Sequence, residues 1–211
     1  MSDTKANEAK QRVFQRVFFG LGLDSDLASG ATREVRASIE DPGSLDLYGQ
    51  EDLHLTLVFV GEISREQVAL MRQAAQWEFQ GLCAPELVLL GNGGAFPGGS
   101  RARSIWRGVL EQPGSEGRLA AIRNRALQIA LSVGWRAGRT EWEKPFHPHV
   151  TVARPMGAEI FEGEVPRLGR DRPWLAPEVS LFASCPEAER EAGASRYRVL
   201  ASWNLAVQPD G

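Results

Sequence analysis

The order of elements legible in this sequence predicts a chain of mixed strands and helices whose two halves repeat one plan. Three observations carry that expectation. Short apolar strands alternate with capped helical stretches; each half runs strand, helix, then a histidine-bearing strand; and the two histidine strands share a short pattern, His54-Leu55-Thr56-Leu57 and His149-Val150-Thr151-Val152.

Residues 1–14 are polar and lack a hydrophobic period, so they read as a flexible tail before a single domain over 15–207, with 208–211 as a second tail. VFFGLGL (17–23) is apolar and aromatic and reads as a buried strand. Asp24-Ser25-Asp26 then caps a helix over 26 to about 40, closed by Asp41-Pro42-Gly43. LHLTLVFVG (53–61) alternates as a strand. Ser64 starts the next helix, with Gln67 completing a Ser-x-x-Gln capping box, and that helix runs to about Phe79. PELVLLG (85–91) is a strand leading into GNGGAFPGGS (91–100), read as a glycine-rich loop. It lacks the lysine and the strand-loop-helix context of a phosphate-binding loop. SIWRGVL (104–110) reads as a strand, Ser115 to about Val133 as a helix and HVTVAR (149–154) as a strand. EVSLFAS (178–184) and RYRVLASWNL (196–205) finish the chain around an acidic turn.

Composition narrows the classes. With 43% hydrophobic and 24% charged residues, the chain has enough apolar material for a sizeable core. No apolar run approaches a membrane span, and MSDTKANEAKQR has no signal-peptide core, so a cytoplasmic protein is expected. Cys83 and Cys185 have neither zinc-site nor disulfide-scaffold spacing. A net charge of -3 argues against coating nucleic acid by bulk electrostatics, so any polyanion contact must be local. Arg101, Arg103, Arg107, Arg118, Arg123, Arg125, Arg136 and Arg139 form one candidate patch, with a solvated helix face as the competing reading.

The chemistry lies in the paired motif. Alternation puts His54 with Thr56 on one face and His149 with Thr151 on another, while Leu53, Leu55, Leu57, Val150 and Val152 take the core side. With only five threonines in the chain, the chance that two histidines each precede one at this spacing is about one in 600. Two imidazoles flanking one phosphorus can divide the work of base and acid, and two hydroxyls can hold its non-bridging oxygens. That arrangement suits in-line displacement at a phosphodiester without a metal. No His-Glu-x-x-His helix or nucleophile elbow competes.

VFFGLGL, LHLTLVFVGEI, the GAFP and RSIWRGV blocks and PFHPHVTVAR together resemble a known family, from about Arg16 to Leu205. That family is the 2H phosphoesterases, and within it the RNA 2′,3′-cyclic phosphodiesterases, also called 2′-5′ RNA ligases. The resemblance implies an α+β fold of two pseudo-symmetric lobes, each a largely antiparallel sheet with outer helices, and a central cleft between them. It implies hydrolysis of terminal 2′,3′-cyclic phosphates to 2′-phosphates, with a reverse 2′-5′ joining reaction and no cofactor or metal. RNA ends or nucleotides carrying a 2′,3′-cyclic phosphate are the implied partners, and the protein is expected to be a monomer.

Carried over position by position, the resemblance makes His54 and His149 the catalytic pair, and Thr56, Thr151 and Arg154 the phosphate ligands. His149 is expected to activate water and His54 to protonate the leaving 3′-oxygen. Phe146, Arg103 and His147 are candidate nucleotide contacts, His147 as a rim residue. Trp142, Phe96 and Trp106 are further rings near the matched blocks, with core packing the default for Trp106. A phosphodiesterase for small cyclic nucleotides or 2′-5′ oligonucleotides, and a non-catalytic RNA-end-binding module, are the alternatives.

Overall fold

Alternation and capping place most of the elements where the sequence predicts them. The structure, a computed structural model, describes residues 13–39, 42–97, 102–136, 145–156, 165–191 and 193–207. Trp142, Arg101, Arg139, most of the two tails and the end of the glycine-rich stretch lie outside the described residues. In chain order the elements are β1 (Val13–Gly22), α1 (Ser25–Ser38), β2 (Leu45–Leu47), β3 (His54–Ser64), α2 (Arg65–Glu78), β4 (Glu86–Phe96) and β5 (Ser104–Glu111). There follow α3 (Arg118–Ser132), β6 (His149–Pro155), β7 (Arg172–Leu175), β8 (Glu178–Ser184) and β9 (Tyr197–Asn204). Two short strands, β2 and β7, fall where no periodic pattern marks them.

The helix starts have local causes. The Asp24 carboxylate accepts from the Leu27 N–H at 2.8 Å, so α1 begins one residue earlier than expected. In α2 the capping box is complete: Ser64 Oγ accepts from Gln67 N–H at 3.1 Å, and Gln67 Oε1 accepts from Ser64 N–H at 2.9 Å. Such a cap contributes about 1 kcal/mol. Ser115 does not open α3, because its hydroxyl accepts from the Glu86 N–H of β4. The Glu111 carboxylate instead accepts from Gly117 and Leu119 N–H, placing negative charge at the helix N-terminus.

The strands form one antiparallel sheet in the order β7-β4-β5-β6-β3-β1-β8-β9, with β2 also paired to β6. It divides into two four-strand halves, β7-β4-β5-β6 and β3-β1-β8-β9. Among the described residues the β3–β6 ladder that joins the halves has one residue pair, Leu55 with Val150, so the two histidine strands are neighbours at the centre. This is the antiparallel α+β arrangement of two similar halves that the resemblance implies. Leu55 and Val150 are fully buried, and α2 and α3 pack against each other and against β3. Burying each such side chain contributes roughly 1.5–3 kcal/mol.

The glycine-rich stretch is a correction. Gly91 to Phe96 continue β4, where Gly93 and Gly94 pair with Arg107 and Trp106 of β5. A Cβ on Gly93 would sit 1.9 Å from the Trp106 carbonyl oxygen, and one on Gly94 2.6 Å from the Trp106 ring. The glycines are there because a neighbouring backbone and indole approach closely, not to form a loop. The arginine-rich segment likewise does not act as one patch. Arg107 is fully buried and donates to Glu34, Leu90 O and Arg170 O; Arg118 pairs with Glu86 and Arg125 with Glu78.

Candidate active site

The register of β3 against β6 sets the geometry. Counting outward from the Leu55–Val150 pair, His54 falls opposite Thr151 and Thr56 opposite His149. Leu55, Leu57, Val150 and Val152 are buried, whereas the two histidines and two threonines are only half-buried on the other face. The four groups make a square in which each imidazole neighbours the other motif's hydroxyl. The histidines lie on a diagonal, where side chains stand about 7–8 Å apart. That spacing leaves room for one tetrahedral anion between the rings.

A matched irregularity follows each threonine. The pairing of β1 with β3 shifts by one residue between Thr56 and Val58, and the pairing of β5 with β6 shifts between Thr151 and Ala153. Each histidine strand thus carries an extra residue, Leu57 or Val152, that reverses the alternation beyond it. Strict alternation would send Arg154 to the core with Val150 and Val152. The bulge re-aims it, so exposed Arg154 shares a cavity wall with His54 and Thr56, its guanidinium 5.6 Å from the Tyr48 ring centroid. The equivalent position in β3 is Phe59, which is 41% exposed on the same cavity.

Both imidazoles are oriented in the same way. His54 Nδ1 lies 2.7 Å from the Asp52 carbonyl oxygen, and His149 Nδ1 lies 2.7 Å from the His147 carbonyl oxygen. A carbonyl can only accept, so each Nδ1 carries the proton and donates it, and each Nε2 is left for chemistry. Exposed His147 therefore meets the site through its backbone, two residues before β6 reaches His149.

The ring environments differ. His54 stacks on Phe18 at 4.7 Å, lies 5.4 Å from Phe182 and meets the Tyr197 ring edge-on at 4.9 Å. Burial among these rings pushes its pKa down from 6.5 to about 4. The Asp52 carbonyl and carboxylate pull the other way, and His149 adds to the lowering. His149 is bordered by Phe96 at 5.4 Å and Trp106 at 5.8 Å. Trp106, by default a core residue, is half-buried, paired with Thr151 and stacked on Phe96 at 5.0 Å.

Among the other sequence candidates, Phe146 packs on the core with the Arg123 guanidinium 4.7 Å from its ring centroid. Arg103 is exposed, and its N–H donates to the Phe96 carbonyl at 2.7 Å. Sequence reasoning missed Asp52, Arg196, Phe18, Phe59 and Tyr197. Buried Asp52 accepts from Ser195 Oγ at 2.8 Å and from Arg196 N–H at 2.7 Å, tying the start of β9 to the turn that holds His54. Arg196 also pairs with Asp46, opposite Arg154 in the β2–β6 ladder. Phe59, the third residue after Thr56, was findable by matching it to Arg154; the others join the site only through long-range packing.

The cavity beside His54 is about 490 Å³ in volume. Among the described residues no group of three His, Cys, Asp or Glu side chains converges closely enough to hold a metal, and no helix is long and apolar enough to cross a membrane.

No family model matches the chain. It is 28% identical to an RNA 2′,3′-cyclic phosphodiesterase of Escherichia coli over 192 residues, covering 90% of this chain and 97% of that one. It is 34% identical to one of Aeropyrum pernix over 138 residues, 61% of this chain and 68% of the relative. Against one of Geobacillus stearothermophilus, 28% identical over 165 residues, the match takes in 77% of this chain and spans about half of the relative's length, 48%. Among solved structures, E. coli LigT complexed with 3′-AMP is similar with a TM-score of 0.70 and 25% identity, covering 91% of this chain and 98% of that one.

Proposed function

The chain belongs to the RNA 2′,3′-cyclic phosphodiesterase family of 2H phosphoesterases, and from that membership we propose that it hydrolyses terminal 2′,3′-cyclic phosphates on RNA to 2′-phosphates. The observation that carries the mechanism is the square of His54, Thr151, Thr56 and His149 on one open face, with neither Nε2 bonded to a described residue. A cyclic phosphate seated there has an imidazole on each side. His149 Nε2 takes a proton from water as the water oxygen bonds to phosphorus. The P–O3′ bond breaks, and His54 Nε2 gives its proton to the departing 3′-oxygen. Thr56 and Thr151 donate to the non-bridging oxygens, and Arg154 offsets their charge.

Burial keeps His54 neutral in the free protein at pH 7, so its proton must be favoured by the bound anion. A phosphate beside the ring supplies that bias, because an adjacent negative charge raises an imidazole pKa. With a 5′-hydroxyl in place of water, the same displacement joins two strands by a 2′-5′ linkage. The enzyme is read as a cytoplasmic monomer acting without a cofactor. The test is turnover of a 2′,3′-cyclic phosphate oligonucleotide in the presence of chelator. His54→Ala and His149→Ala are each expected to lose about 10²- to 10⁴-fold in kcat. Undiminished turnover in either variant, or strict dependence on added metal, sinks the mechanism.

A further inference from the structure

The cavity beside His54 is more basic than one cyclic phosphate requires. Arginines 16, 154, 190 and 196 line it together with two carboxylates, Asp46 and Glu187, in a chain whose overall charge is -3. Arg196 is held by Asp46 and Asp52. Arg154 is the bulge-aimed cation beside the reacting centre. Arg16 and Arg190 remain, and among the described residues neither has a carboxylate within ion-pair distance, Glu187 included.

Arg16 is held in an unusual conformation. Its φ is 52°, the one positive value at a non-glycine among the described residues. It sits where the pairing of β1 with β3 slips between Phe14 and Val17, a bulge at which glycine is the favoured residue. An arginine in the left-handed region costs roughly 1–2 kcal/mol, and such outliers concentrate at ligand clamps. The bulge brings the guanidinium 5.8 Å from the ring centroid of Phe59. Since Phe59 is the β3 counterpart of Arg154, the two halves of the site differ at this point. The β6 half puts its cation at the reacting phosphate; the β3 half puts an aromatic face there and its cation one side chain farther out. Arg190, after the turn at Glu187–Glu189, lines the same wall.

We propose that Arg16 and Arg190 form a second anion subsite that takes the phosphodiester on the 5′ side of the terminal nucleotide. The inference rests on the hydrolase reading above and adds how the strand inward of the reacting end is held. A 2′,3′-cyclic phosphate closes the 3′ end of a strand, so the next phosphate inward is that 5′ diester. A mononucleoside 2′,3′-cyclic phosphate lacks it. The subsite therefore selects RNA ends over free cyclic mononucleotides, and the cation on Phe59 leaves that ring as a stacking face toward the cavity.

The test compares kcat/KM for a dinucleotide ending in a 2′,3′-cyclic phosphate with that for the corresponding mononucleoside 2′,3′-cyclic phosphate. Because misfolded protein lowers both rates equally, their ratio reports the subsite alone. Arg16→Ala is expected to lower the ratio about tenfold, and Arg16→Ala with Arg190→Ala to lower it further. Arg16→Lys is expected to restore much of it. The rise of KM with salt for the dinucleotide is expected to be weaker in the double variant than in the unaltered protein. Turnover of both substrates with a ratio unmoved in the double variant overturns the subsite while leaving the hydrolase reading intact. Turnover of neither by the unaltered protein overturns both.

Discussion

Acidifying the protein should destabilise it through a single ring. His54 titrates near 6.5 when unfolded and near 4 when folded, because burial among Phe18, Phe182 and Tyr197 disfavours its charged form. Between those values the unfolded chain binds a proton that the folded chain refuses, so stability falls as pH falls through this window. The slope is about 1.4 kcal/mol per pH unit, which over the window amounts to about 3 kcal/mol at most, less whatever solvent reaches the half-buried rim. Carboxylates titrate in the lower part of the same range, so the assay must isolate the histidine. Urea unfolding from pH 7.5 to 4 for the unaltered protein and His54→Gln does this, since the difference between the two curves cancels the shared acids. That difference is expected to be flat above about pH 6.5 and to move against the unaltered protein below it. Added inorganic phosphate should flatten the slope, because an anion between the imidazoles raises the folded pKa. A difference independent of pH would refute the claim that burial holds His54 neutral.

Two further outcomes test the framework around the site. Glu34→Ala removes the carboxylate that faces fully buried Arg107 and also pairs with Arg172; it should cost about 3 kcal/mol or more by denaturant unfolding, with Glu34→Leu plus Arg107→Met recovering part of the loss. Gly94→Ala forces a Cβ to within 2.6 Å of the Trp106 ring, which borders both Phe96 and His149. It should cost roughly 1–3 kcal/mol and reduce cyclic phosphate turnover beyond what the fraction folded explains; full turnover would show that the indole does not position His149.

The two histidine strands were legible because three short-range signals agreed: alternation, a repeated triplet and, for the helix after the first, the Ser64–Gln67 box. Gly93 and Gly94 misread as a loop because glycine marks both a turn and a crowded strand, and only the indole across β5 decides between them. β7 was invisible, since Arg172-Pro173-Trp174-Leu175 has no run to detect and becomes a strand by pairing with β4 at the sheet edge. Arg154 illustrates the limit of periodicity. Alternation alone assigns it to the core; it faces the cavity beside His54 because of an extra residue in the ladder that no pattern of side chains reveals. Arg16, Asp52 and Arg196 join the site through contacts made across much of the chain, and nothing local announces them.

The groups that fix both imidazole tautomers are peptide carbonyls, those of Asp52 and His147. A scan that exchanges side chains one at a time leaves both carbonyls in place: position 147 would register as tolerant, and a loss at Asp52 would report its buried carboxylate, which holds Ser195 and Arg196, rather than the tautomer. Sequence drift at 147 is free to change the side chain without touching the proton. What such drift cannot absorb is an insertion or deletion between residues 52 and 54 or between 147 and 149, which would move the acceptor off the ring. The register of the two imidazoles is accordingly guarded by chain length over two three-residue spans, and at the first of them also by the Asp52 carboxylate that anchors the turn.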